Sequence, residues 1–492
     1  MKTFYVTTAI DYPSGKPHLG HAYEKTCADA MARWHRLLGE DVFFLTGTDE
    51  HGLKIQRRAE KENKSPKQYV DEMSESFREL CIEWNFSFDR FIRTTDFDHE
   101  KACREIFQKL QDNGDIYLGK YDGLYCAECE TFYLENDLND GKCKTHDKKC
   151  DFVSEESYFF KMSKYEKQLI EFLKKNDKAV LPLGKKKEIL NRIELGLKDL
   201  SVSRTSFNWG ISVPFDKNHV MYVWTDALSN YITGIGFPDG KDFKKFWPAN
   251  VQNIGKDILW HHTAIWYSLL FSLKVPLPKT IFVHGFINTS SGEKMSKSRG
   301  TVIDPLEMSK KYSADAVRYF LLREIPFGED GFFSEELLKQ RINNELANEL
   351  GNLLNRTIVL LEKNFEGKIP EAKTSEVLSK KLNLEKIGKA MENFEFHNAL
   401  NEIFYFVAQC NAFVNEKQPW KQSGKDLDET LYSLADSLRV ISILVSPFMP
   451  SASEKINAQL NVKAGLLPDC KFNLFKAGTQ TKRGKILFEK IV

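Results

Sequence analysis

The first fifty residues set two short apolar runs around one helical stripe. Phe4–Ile10 reads as a buried strand, and from His18 the positions Leu19, Ala22, Thr26, Ala30 and Trp34 recur at helical spacing. Gly39 is placed to end that helix, since glycine enters the left-handed region at no steric cost. A second apolar run, Val42–Leu45, leads into TGTDEHG. Strand, helix, strand in this order is a βαβ unit, and open parallel sheets bind ligands at the carboxyl ends of such strands. Ser65-Pro66 then opens another helix, with serine as N-cap and proline in the first turn.

Near Tyr117 the rhythm breaks into short aromatic-rich stretches with a cysteine cluster, and this lasts to about Trp209. The α/β pattern then resumes. HVMYVW is an apolar run ending at Trp224, Asp226–Tyr231 is helical, VQNIG is strand-like, Ile258–Leu273 is helical and TIFVHG is apolar again. One nucleotide-binding sheet split by an insertion of about a hundred residues accounts for this order. After about Phe333 the texture changes: Ile342, Leu346, Leu350, Leu353, Leu354, Ile358 and Leu361 keep a helical stripe. Similar patterning to about Ile456 predicts an antiparallel bundle. The expected fold is α/β, a Rossmann-like parallel sheet in two halves (1–116 and 219–275), a connective insertion (117–218), a further segment (276–332) and an all-α unit (333–492).

Composition narrows the class without naming a function. At 492 residues the chain exceeds a single core, and 42% hydrophobic with 28% charged residues is ordinary for a globular protein. A formal net charge of +1 gives no global attraction to nucleic acid, so an RNA surface has to be local, with Lys174–Lys178 and Lys185–Lys187 as candidate runs. No window approaches the roughly 20 apolar residues of a membrane span. MKTFYVTTAI enters a strand with no apolar leader, and nine cysteines fit a reducing compartment, so a cytoplasmic protein is expected.

Two strings carry the chemistry. In PHLGH, His18 and His21 lie three apart and project from one side of a first helical turn whose free N–H groups suit a phosphate; Gly20 leaves room for a flat base against the backbone. In SSGEKMSKSRG, Lys294, Lys297 and Ser298 sit in a glycine-flanked loop whose ammonium groups could clamp β- and γ-phosphates. A second KMSK, Lys161–Lys164, lacks the serine, the glycines and an upstream strand, and the YEKQLIEFL that follows it reads as an amphipathic helix. Cys126 and Cys129 form C-x2-C, and Cys143 with His146 forms C-x2-H, spacing suited to one closed, structural Zn²⁺ site; Cys150 competes with His146 as fourth ligand. Cys27, Cys81, Cys103, Cys410 and Cys470 have no partner at ligand spacing and are expected in the core.

Taken together, TTAIDYPSGKPHLGHAY, TGTDEHG, CAEC with CKTH, DLSVSR, WTDALSNY, GKDILWHH, FVHGFI, KMSKSRG, NELGNLLNR and KQPW resemble, in order and over nearly the whole chain, the methionyl-tRNA synthetase family of class I aminoacyl-tRNA synthetases. The resemblance implies activation of L-methionine by Mg²⁺·ATP to methionyl-adenylate, then transfer to the terminal adenosine of tRNA(Met), with no DNA or membrane partner. It implies ATP contacts at His18, Gly20, His21, Lys294, Lys297 and Ser298, with the two histidines and two lysines catalytic. The amino-acid pocket would be Ala9, Ile10, Tyr12, Trp224, Ala227, Tyr231, His261 and His262, with Asp49 on the substrate ammonium. His146 would complete the zinc knuckle, Arg204 would contact substrate near the tRNA 3′ end, segment 276–332 would contact the tRNA stem, and Asn352, Arg356, Pro419 and Trp420 would read the anticodon. The chain departs from the family at His261, where phenylalanine is usual. Editing-type class I enzymes need a far longer insertion, and a small-molecule nucleotidyltransferase has no use for the helical unit. No appended OB-like module follows ILFEKIV, so a monomer is expected.

Overall fold

The computed structural model describes residues 2–126, 131–133 (backbone only), 138–143, 148–289 and 302–491. Six strands form a parallel sheet in the order Arg90–Arg93, Asp41–Thr48, Thr3–Thr8, Val251–Gly255, Ile281–His284, Val180–Leu181. Val6 lies opposite both Phe44 and Val251, at the centre. The order runs outward in opposite senses from Thr3–Thr8 and Val251–Gly255, which makes the gap between their carboxyl ends the switch point where a ligand crevice forms. The edge strand Val180–Leu181 comes from the insertion, so this segment is hydrogen-bonded into the sheet it interrupts.

Local chemistry sets most boundaries. The helix Leu19–Leu37 is followed by Gly39 at φ +76°, and Pro66–Glu83 is opened by Ser65, whose Oγ accepts from Gln68 N–H at 3.3 Å while Gln68 Oε1 accepts from Ser65 N–H at 3.2 Å. Two stretches differ from their sequence reading. The apolar run to Trp224 stops as a strand at Met221 and turns into the helix Val223–Thr233, because a continuous apolar stretch fits a buried strand and a buried helix equally well. Ile258–Leu273 is helical but not uniform: His261–Ile265 is a π-helical turn ahead of the α-helix Trp266–Leu273. Such turns re-aim side chains and gather at functional sites.

The insertion is built on a long antiparallel hairpin, Ile116–Cys126 against Asp151–Phe160. The C-terminal unit comprises Asn352–Phe365, Phe396–Lys417, Gly424–Val445 and Pro450–Leu460, with every member of the Ile342 to Leu361 stripe buried. One apolar core passes from Val6 and Phe44 through the helix Leu19–Leu37 into these helices, and a second, on the other sheet face, joins the insertion to Val223–Thr233. Arg318 ties the first core together. Fully buried, it donates to Asp29 Oδ2 at 2.6 Å, Phe448 O at 2.9 Å and Trp84 O at 3.3 Å, so its charge is paired as a buried guanidinium requires. No described helix is long and apolar enough to cross a membrane.

Candidate active site

A cavity of about 1190 Å³ opens at the switch point. Ala9, Ile10, Tyr12, His18, Gly20, His21, Asp49, Arg204, Trp224, Ala227, Tyr231, His261 and His262, scattered over more than half the chain, all line it. The strand ends deliver Ala9 and Asp49, and Asp49 N–H donates to Asp11 O at 2.8 Å, which fixes the turn carrying its carboxylate.

His18 is the N-cap residue of Leu19–Leu37, and its ring stacks on that of His21 with centroids 3.6 Å apart. His18 N–H donates to His21 Nδ1 at 3.0 Å. That bond makes Nδ1 an acceptor, so neutral His21 carries its proton on Nε2. Gly20 has a use beyond the flat-base reading: a Cβ there would sit 3.1 Å from Cε1 and Nδ1 of His18, so the glycine makes room for the imidazole itself. Lys294, Lys297 and Ser298 lie outside the described residues. Of the described residues that flank them, Ile287–Thr289 is a strand and Ile303 O accepts from Leu19 N–H at 3.1 Å. The other KMSK is structural: Lys164 pairs with Asp115 at 2.6 Å and Lys161 donates to Gly114 O at 2.8 Å.

On the amino-acid side, Tyr231 O–H donates to His262 Nε2 at 2.6 Å, and His262 Nδ1–H donates to Ile258 O at 3.0 Å. Both nitrogens are thereby matched in the neutral ring, and burial holds the His262 pKa down at about 4. Trp224 stacks on His261 at 3.8 Å and meets His262 edge-on at 6.3 Å. Arg204 is 2% exposed; its guanidinium lies over the Tyr222 ring at 4.5 Å and donates to Ser201 Oγ at 2.8 Å and Ser203 O at 2.7 Å.

Cavity residues and a buried cluster next to the cavity escaped sequence reasoning. Glu24, on the helix carrying both histidines, accepts from Ala9 N–H at 2.6 Å and from His284 Nε2 at 2.9 Å, while His284 Nδ1 donates to Gly285 O at 2.7 Å. Both ring nitrogens face acceptor oxygens, which favours the cationic ring; burial opposes it, but the Glu24 carboxylate prevails and the His284 pKa is raised. Helical spacing from His21 was the available signal. Beneath Trp224, Asp226 accepts from His51 Nδ1 at 2.6 Å and from His99 Nε2 at 2.7 Å, with Thr233 Oγ1 2.7 Å from His99 Nδ1 and Cys103 Sγ 3.3 Å from His99 Nε2. These partners sit on three separate helix and loop segments, and no local pattern announces them.

Away from the cavity, Cys126, Cys143 and Cys150 pack together with Leu138. Cys129 and His146 lie outside the described residues. Three buried thiols in one cluster suit a thiophilic ion such as Zn²⁺, and Cys150 stands among them. Cys27, Cys81, Cys103, Cys410 and Cys470 are buried as expected. In the helical unit Pro419 is buried, Trp420 is 51% exposed, and the Arg356 guanidinium lies 5.8 Å from the Trp420 ring and donates to Asn415 Oδ1 at 3.2 Å. Asn352 begins the same helix as Arg356.

The sequence profile described as "tRNA synthetases class I (M)" matches residues 4–136 and 133–358, and that described as "Anticodon-binding domain of tRNA ligase" matches 379–483. The methionine–tRNA ligase of Caldanaerobacter subterraneus subsp. tengcongensis is 49% identical over all of this chain and 79% of its own length; that of Clostridium tetani is 47% identical over the same shares. Mycobacterium tuberculosis methionyl-tRNA synthetase in complex with methionyl-adenylate superposes with a TM-score of 0.95 at 39% identity, covering 99% of this chain and 100% of that one. The apo form of the same enzyme gives 0.88 at 36% identity, covering 100% and 99%. By sheet order, cavity and these likenesses, the chain belongs to the methionyl-tRNA synthetase family of class I aminoacyl-tRNA synthetases.

Proposed function

We propose that the cavity performs both steps of methionine–tRNA ligation. Methionine lies with its ammonium at Asp49 and its thioether among Trp224, Tyr231 and His262, where aromatic contacts with sulfur contribute about 0.3–1.5 kcal/mol each. Its carboxylate oxygen attacks the α-phosphorus of ATP; the bond from that phosphorus to the bridging oxygen breaks and pyrophosphate leaves. His21, holding its proton on Nε2, donates to the phosphoryl oxygens as charge builds there, with His18 stacked behind it, which is electrostatic stabilisation by a preorganised donor. Lys294 and Lys297 take the pyrophosphate end. The terminal adenosine's 2′-hydroxyl then attacks the acyl carbon and AMP leaves, on the side of the cavity where Arg204 lies.

Mg²⁺ bound with ATP supplies charge neutralisation on the phosphates. Zn²⁺ held by Cys126, Cys129, Cys143 and His146 supplies a structural crosslink in the insertion, with Cys150 as the competing donor. Asn352, Arg356 and Trp420 form the anticodon surface, positioned by Pro419, since an exposed indole beside a guanidinium can stack unpaired bases. The protein acts in the cytoplasm. The observation that carries this reading is the meeting of the histidine pair, Asp49 and the Trp224–Tyr231–His262 group in one cavity. ATP–pyrophosphate exchange with each amino acid in turn tests it: methionine should drive exchange, and exchange driven by leucine or cysteine instead would overturn it.

A further inference from the structure

His261 lines the cavity one residue before His262, in the π-helical turn. One face of its ring is covered by Trp224, 3.8 Å away and 13° from parallel. Among the described residues neither ring nitrogen has a hydrogen-bond partner, and Nδ1 is sealed from solvent. His262 shows the contrast, with both nitrogens matched. Burial and the neighbouring His262 and Arg192 hold His261 neutral, its pKa down at about 3. A neutral imidazole carries one proton, and with Nδ1 closed off the nitrogen left to meet a ligand is Nε2.

A polar group buried without a partner is a cost to the complex, recovered only if the ligand pairs with it. Methionine cannot do this well, because a thioether sulfur is a weak acceptor. The family's usual phenylalanine has no such group to satisfy. We propose that His261 is a specificity-determining residue that lets this site activate amino acids of methionine's length bearing a hydrogen-bond-accepting oxygen at the sulfur, methionine sulfoxide being the simplest, by donation from imidazole Nε2 to that oxygen. The proposal rests on the reading of the cavity as a methionine site.

Pyrophosphate exchange on the full chain, with L-methionine and with L-methionine sulfoxide, tests it in the parent, His261→Phe and His261→Gln forms. The parent should exchange with the sulfoxide. His261→Phe should lower kcat/KM for the sulfoxide about tenfold, through KM, while raising that for methionine, so that preference for methionine grows at least about tenfold. His261→Gln keeps an N–H donor and should retain sulfoxide exchange within about threefold of the parent. No sulfoxide exchange by the parent, or an unchanged preference in His261→Phe, overturns the proposal. Should His261→Phe fail to fold, the parent's sulfoxide exchange and its retention in His261→Gln decide it. A parent that does not exchange with methionine overturns the reading of the cavity instead.

Discussion

Replacing Gly20 with alanine separates two reasons for a glycine between the histidines. An added Cβ would lie 3.1 Å from the His18 ring, against 3.4 Å at the near end of ordinary contact, so the imidazole must retreat by about 0.3 Å from a ring already stacked at 3.6 Å on His21. Catalytic positions lose on the order of a hundredfold per ångström of misplacement, so this displacement should lower kcat for adenylate formation about fourfold. Folding should not suffer, because alanine is the better helix former by up to about 1 kcal/mol in a helix interior. The melting temperature should therefore hold steady or rise by no more than about 2 °C. Pyrophosphate exchange over a range of ATP concentrations, with thermal melts alongside, gives both numbers. A rise confined to KM for ATP would mean that Gly20 serves the flat base rather than the His18 ring. Unchanged kinetics would refute both.

Asp226→Asn removes the charge between His51 and His99. In the native protein burial works against both ionised groups, but the pair prevails, lowering the Asp226 pKa and raising that of His51. The Asp226 contribution is present above the unfolded carboxylate value of 3.8 and fades as pH falls through the folded value; that of His51 is full below its unfolded value of 6.5 and fades as pH rises through the folded one. Melting temperature should thus fall with rising pH above about 6.5 in the parent and less steeply in Asp226→Asn, and parallel curves would count against the pairing. Tyr231→Phe strips the donor from His262 Nε2 and should raise KM for methionine about tenfold, measured by exchange. Metal analysis should find one zinc per chain, lost in Cys143→Ser; loss in Cys150→Ala but not His146→Ala would make Cys150 the fourth ligand. Trp420→Ala should weaken tRNA charging at least about tenfold while sparing methionine exchange, and equal loss of both would refute an anticodon role.

What was legible in the chain follows the range of the interaction that decides each feature. The start at Ser65-Pro66 could be read because the cap and its reciprocal partner Gln68 are three residues apart. Ile281–His284 could be read because Ile281, Phe282 and Val283 make one apolar run of strand-favouring residues. The handover at Tyr222 could not, since apolarity is indifferent to strand or helix, nor could the π turn at His261, since a slipped hydrogen bond leaves no periodic trace. The same division holds in the cavity and in the buried cluster next to it. His18 and His21 share one helical turn, whereas Glu24 meets His284 across 260 residues and Asp226 meets His51 across 175, distances at which only the folded chain brings partners together.

The strand Val180–Leu181 gives the connective insertion a second attachment to the body of the protein. Deleting residues 117–218 to leave a minimal catalytic unit would uncover the apolar edge of Ile281–His284, whose unpaired N–H and C=O groups would template association with another chain. Trimming this enzyme to a smaller soluble catalyst therefore calls for a replacement edge strand, or charges set along Ile281–His284, before any loop is shortened.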